Sequence, residues 1–151
     1  MTWNGPPRAK THRDKQLNSA GAGPGTIAPM SRPVRALRGA TTVDDDTAAQ
    51  VDERVAELLR EMLDRNGAGH DDLVSVIFTT TPDIRSRFPA TAARGLGLGD
   101  VPLLGAQEQD VAGAPPRVIR VMIHLETSRD RSELHHIYLH GAQTLRDDLA
   151  P

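Results

Sequence analysis

The 151 residues contain no cysteine. Disulfide scaffolds, thiolate metal sites and cysteine nucleophiles are therefore excluded, and a reducing compartment is compatible with the chain. Aromatic side chains are scarce: Trp3, Phe78, Phe88 and Tyr138 make up 3% of the sequence. A core must therefore be built from Val, Leu, Ile, Met and Ala. No apolar run approaches the roughly 18 residues that read as a membrane span. The N-terminus has basic residues but no apolar stretch leading to a cleavage site, so no secretory signal is expected. The expectation is a cytoplasmic protein with no membrane partner. Lysine is also missing after Lys15; every later basic side chain apart from histidine is an arginine.

What is present suits one compact domain with an extension. Hydrophobic residues are 38% and charged residues 25%, with a net charge of −2. That small net charge hides an asymmetry. Residues 1–33 carry Arg8, Lys10, Arg13, Lys15 and Arg32 against Asp14, a net of +4, which leaves −6 for the rest. An acidic body argues against nucleic acid as the partner. The first 33 residues are rich in Gly, Pro, Asn, Ser and Thr without apolar periodicity and read as a disordered tail. Gly21–Thr26 is glycine-rich but lacks the Gly-Lys-Ser/Thr ending of a phosphate loop, and no helical pattern follows. Met30, just before ordered sequence, is a candidate for the genuine start.

Beyond the tail the periodicity changes repeatedly. Residues 34–39 read as a strand. A helix is expected from about Thr47, because Val51, Val55, Leu58, Leu59, Met62 and Leu63 form one apolar stripe. Asp44 to Asp46 favour its positive end, and Asn66-Gly67 stops it. Residues 74–79 read as a buried strand. A short helix is expected from Phe88-Pro89 to about Arg94. Residues 101–106 read as a third strand, whose Pro102 suits a strand start or a sheet edge. Residues 117–126 alternate cleanly: Ile119, Val121, Ile123 and Leu125 on one face, Val118, Arg120, Met122, His124 and Glu126 on the other. A fifth strand is expected over 137–145. This order implies a mixed sheet with helices packed on one face.

Arginine is the residue type most suggestive of chemistry. Arg38 is expected at a strand end, Arg120 inside a strand and Arg146 after the last strand. A guanidinium within a strand needs a partner, because burying it unpaired is costly. It either pairs with a carboxylate such as Glu108, Asp110 or Glu126, or takes a carboxylate ligand in its planar fork. His124, Glu126, His135, His136 and His140 include metal-ligand types, but their spacing matches no helix-borne zinc motif. No serine lies in a G-x-S-x-G turn. Tyr138 could equally be a packed ring with a satisfied hydroxyl.

The pattern as a whole resembles the small AroH-type chorismate mutases. The matching pieces are V-R-A-L-R-G-A-T-T-V at 34–43, Thr81-Pro82-Asp83, Phe88-Pro89-Ala90 and Arg94. They continue with Val101-Pro102-Leu103, Gln107-Glu108 with Asp110-Val111, Ile119-Arg120-Val121, His136-Ile137-Tyr138-Leu139 and Leu145-Arg146. The resemblance implies a chorismate mutase domain over 34–149 with an α+β fold. Its mixed sheets would assemble as a homotrimeric pseudo-α/β-barrel, with active sites in clefts between subunits. It implies a catalytic set of Arg38, Glu108, Arg120 and Tyr138. Leu104, Gly105, Ala106 and Gln107 would line the substrate site, with Phe88, Arg94 and Arg146 at its rim or from the adjacent subunit. Thr91 stands where the family often has lysine, and Gly105 where it often has cysteine or a similar side chain.

The implied reaction is the [3,3] rearrangement of chorismate to prephenate in phenylalanine and tyrosine biosynthesis, an isomerase step with no metal or organic cofactor. A non-catalytic trimer that keeps the cleft as a small-anion sensor is the alternative of a different class. The four charged or phenolic groups favour catalysis, since a sensor need not keep a cation at the breaking bond.

Overall fold

The computed structural model describes residues 31–149, with side chains described through Leu145. The expectations for residues 1–30, Met30 included, lie outside the described residues, as does the Arg146 side chain. Of the last residues assigned to the tail, Arg32 pairs with Asp72 at 2.6 Å, and the Pro33 carbonyl accepts from Thr127 N at 3.1 Å.

Five strands form one mixed sheet: β1 (Val34–Thr42), β2 (Leu73–Thr80), β3 (Leu103–Gln107), β4 (Val118–Glu126) and β5 (Ile137–Tyr138). Their order is β3-β2-β4-β1-β5. β4 runs antiparallel to both neighbours, while β2 pairs parallel with β3 and β1 parallel with β5. Pro102 immediately precedes β3, the edge strand, where its missing N–H breaks no ladder bond; its carbonyl accepts from Val76 N at 2.9 Å.

The helix α1 (Ala48–Asn66) begins and ends where expected. Thr47 adopts an extended conformation and its hydroxyl accepts from Gln50 N at 3.2 Å, satisfying one open N–H of the first turn. Gly67 closes the helix in the left-handed region at φ 58°. Val51, Val55, Leu58, Leu59 and Met62 are all buried, each worth about 1.5–3 kcal/mol when removed from water. They meet Leu37, Val76, Phe78, Ile119, Val121, Ile123 and Leu125 in one core. The second helix, α2 (Pro89–Gly95), starts on Pro89, whose absent N–H is harmless in a first turn. Its Ala92 and Ala93 join the same core.

Two expectations change. Arg38 lies within β1 rather than at its end, because pairing with β4 continues from Val34 to Thr42. The acidic run lies immediately ahead of the Thr47 cap, where its side chains also tie down other segments: Asp44 pairs with Arg54 at 3.0 Å, and Asp46 accepts bonds from Arg85 and Ser86. The fifth strand covers only Ile137–Tyr138. His140 takes a positive φ of 53°, which turns the chain out of the sheet into a 3-10 segment over His140–Leu149.

Candidate active site

Because side chains alternate along a strand, one sheet face is spent on the core and the other is left open. On the open face the register aligns Thr79 of β2, Arg120 of β4, Ala40 of β1 and Tyr138 of β5 in one row. At about 4.8 Å per strand, Arg120 and Tyr138 stand about 10 Å apart at their Cα atoms, with the small Ala40 between them. Arg38 lies two residues back along β1, opposite Met122. Leu104 and Ala106 of β3 pair with Ile77 and Thr79 and so belong to this face.

Glu108 follows β3 directly. Its backbone N–H donates to the Thr80 carbonyl at 2.9 Å, which extends the ladder by one residue and fixes where the side chain leaves. Its Oε1 accepts from Thr79 Oγ1 at 2.7 Å and forms an ion pair with Arg120, whose Nε lies 2.8 Å away. The two ways of satisfying an in-strand arginine, a carboxylate partner and a ligand site, thus coincide: Arg120 does have a carboxylate partner, and that partner is itself one of the expected site residues. Arg120 spends Nε on it and remains 42% exposed. The Arg38 guanidinium has no carboxylate partner among the described residues. Its backbone N–H donates to His136 Nδ1 at 3.1 Å, which ties the Arg38 segment to the residue preceding β5.

The remaining expected residues lie in a second place. A groove of about 760 Å³ runs between the β2–α2 connection, α2 and β3, and it is lined by Phe88, Thr91, Arg94, Gly105, Ala106 and Gln107 among others. Gly105 and Gln107 point to this side because their β2 partners, Phe78 and Thr80, alternate with Ile77 and Thr79. Phe88 is 80% exposed at the rim. Arg94, like Arg38, has no ion-pair partner among the described residues. At Gly105 an added Cβ would meet nothing within 4 Å, so the missing side chain leaves open space rather than relieving a clash.

The groove's outer wall is held from below. Both carboxylate oxygens of Asp46 are used: Oδ2 accepts from Arg85 N at 2.9 Å, and Oδ1 from Ser86 N at 3.2 Å and Ser86 Oγ at 2.7 Å. The Ser86 hydroxyl bond is the largest influence that holds the Asp46 carboxyl below its ordinary range, with the two backbone N–H groups and the Arg85 charge adding to it; burial opposes them.

Within one chain, then, Arg38, Glu108, Arg120 and Tyr138 gather on the open sheet face, Phe88, Arg94, Gly105 and Gln107 gather at the groove, and Ala106 borders both. None of the first four lines the groove. The metal alternative finds no support: no group of three His, Cys, Asp or Glu that could hold an ion occurs among the described residues. His124 bonds Ser75 Oγ at 3.0 Å, and Glu126 faces Arg32. Thr79 and Asp46 are not singled out as site residues by the sequence. The alternation of β2 could have placed Thr79 on the open face, whereas nothing local marks Asp46 as an anchor for residues 85–86.

Comparison with known proteins places the chain in a family. Residues 34–149 match the family model for chorismate mutase type I. The chain is 46% identical over 117 residues to chorismate mutase AroH of Thermus thermophilus, covering 77% of this chain and 96% of the relative. It is 36% identical over 118 residues to chorismate mutase AroH of Bacillus subtilis strain 168, covering 78% and 93%. Among solved structures it resembles a chorismate mutase from Clostridium thermocellum with a TM-score of 0.72 and 44% identity, over 73% of this chain and 98% of the other. With sequence, family pattern and fold in agreement from the first strand onward, this chain belongs to the type I, AroH-type chorismate mutase family.

Proposed function

We propose that the chain converts chorismate to prephenate, that it does so as a cytoplasmic homotrimer, and that each active site joins the open sheet face of one subunit to the groove of the next. The observation that carries this reading is the Arg120–Glu108 pair, 2.8 Å apart on an open sheet face with Arg38 and Tyr138 close by. Two features favour the shared site. Most of the expected residues fall into two sets on different sides of β3, with Ala106 alone belonging to both. The open face and the groove rim also leave Leu104, Met122 and Phe88 exposed at 61%, 38% and 80%, which a second copy would cover.

Chorismate is a dianion in which an ether links the ring to an enolpyruvyl side chain. In the rearrangement one C–O bond breaks and one C–C bond forms. No proton moves and no covalent enzyme intermediate is required. The protein therefore needs neither a nucleophile nor a tuned acid–base pair, and two contributions remain.

The first is holding the flexible substrate in its reactive chair form, which removes conformational freedom before the barrier. Arg38 and Tyr138 grip the side-chain carboxylate. Arg94 or Arg146 helps at the ring carboxylate or the cleft entrance. The second is stabilising charge as it develops. The ether oxygen becomes negative as its bond stretches, and Arg120 donates to it in a water-poor cleft where a fixed charge counts most. Glu108 accepts from the ring hydroxyl and balances the guanidinium charge.

Purified protein mixed with chorismate should consume its ultraviolet absorbance and form prephenate, and light scattering should give three times the chain mass. Intact chorismate would overturn the activity. A monomer with full activity would overturn the shared site.

A further inference from the structure

We infer that Thr79 is a positioning residue for the Glu108 carboxylate and, through it, for the aim of Arg120. The inference rests on the chorismate mutase reading and adds a residue to that site.

Two groups converge on a single oxygen. Thr79 Oγ1 donates to Glu108 Oε1 at 2.7 Å, and Arg120 Nε lies 2.8 Å from the same oxygen as its ion-pair partner. Both contacts fall on Oε1, so the carboxylate is anchored to the protein through that oxygen. A lone Arg120 contact would leave Glu108 free to swing about it, whereas contacts from two different strands restrict both its position and its rotation. Hydrogen bonds to an ionised acceptor are also the stronger kind.

The fold places Thr79 for this purpose. It sits directly across from Arg120 in the β2–β4 ladder and from Ala106 in the β2–β3 ladder, so its side chain leaves the sheet on the same face as Arg120. β-Branching restricts χ1 in a strand, so the hydroxyl direction is set in advance. The next residue's carbonyl, that of Thr80, takes the Glu108 N–H, so residues 79 and 80 together hold Glu108 by its backbone and its side chain. Holding Glu108 also holds Arg120. Its Nε faces Oε1 at 2.8 Å, so the position of the carboxylate constrains that of the guanidinium.

The test compares Thr79→Val, which keeps the shape and removes the hydroxyl, with Thr79→Ser, which keeps the hydroxyl. Both are also combined with Glu108→Ala. Steady-state kinetics on chorismate should show Thr79→Val losing about tenfold in kcat/KM, with kcat falling as well as KM rising. Its melting temperature should stay close to the parent's, since valine suits a strand. Thr79→Ser should recover most of the loss. In the Glu108→Ala background, adding Thr79→Val should cost less than about twofold, because the two residues act as one unit.

Parental kcat and KM in Thr79→Val would overturn the inference. So would a loss that serine does not recover, or an equal loss with and without Glu108. Failure of the parent protein to turn over chorismate would instead overturn the activity on which the inference rests.

Discussion

The two faces of the sheet are built from the same strands and carry different information. On the helix side, Leu37, Val76, Phe78, Ile119, Val121, Ile123 and Leu125 are all buried against α1 and α2. On the open side, their sequence neighbours Arg38, Thr79, Arg120 and His124 carry hydrogen bonds, charge and exposure. The period of two lets one strand specify a core and a site almost independently. Substitutions should therefore divide cleanly: changes on the covered face should alter stability, and changes on the open face should alter rate.

The largest expected effect is on the open face. Arg120→Ala should lose at least about 3–4 kcal/mol of transition-state stabilisation, roughly 100- to 1000-fold in rate. Because Arg120 is partly exposed, the variant's folded state should melt near the parent temperature. Arg120→Lys should also be poor, since an ammonium cannot hold Glu108 through one nitrogen while aiming two others at the substrate. Near-normal turnover by either variant would break both the assignment and the division between faces.

A smaller effect of the opposite kind is expected one residue from Arg38. Gly39 lies on the helix side, where an added Cβ would collide with Met62 Sδ and sit 3.2 Å from Leu58 Cδ1. Gly39→Ala should therefore destabilise by about 1–2 kcal/mol, the lower part of the overpacking range, because a methionine can partly move aside. Urea denaturation should show the loss, while kcat/KM of the folded enzyme stays near the parent's. A rate loss larger than the stability loss would mean that the two faces are coupled through β1.

Much of the covered face is legible in the sequence, and less of the site. The apolar stripe from Val51 to Met62 and the alternation from Ile119 to Leu125 are local patterns, and both elements lie where those patterns place them. Strand order is not local. Nothing in the run of residues 118–126 says that it separates β1 from β2, yet that insertion is what sets Arg120 beside Thr79 on one side and Ala40 on the other. The shortness of β5 is hidden because Ile137, Leu139 and Leu145 continue an apolar pattern, whereas the backbone leaves the sheet at the positive φ of His140. The site residues themselves emerge from family motifs rather than from periodicity. Their separation into a face and a groove becomes visible only in three dimensions, because Leu104 and Gly105 are adjacent in sequence and point to opposite sides.

The smallest expected effect concerns the groove rather than either face, and pH isolates it. Asp46 holds residues 85 and 86 through three hydrogen bonds, and these bonds depress its folded pKa below the ordinary carboxylate value of about 3.9. A depressed folded value means that the contribution is fully present above the unfolded pKa and is lost as pH falls through the folded one. Asp46→Asn should therefore destabilise by less than about 1 kcal/mol at neutral pH, given how accessible the contacts are to solvent. If the Phe88–Arg94 groove receives substrate, the same variant should raise KM with little change in kcat, since a displaced groove wall weakens binding in the ground and transition states alike. The stability difference between variant and parent should shrink as pH drops below the carboxylate range. A gap that persists unchanged into acid would assign the effect to the shape or packing of the substituted amide rather than to loss of the carboxylate.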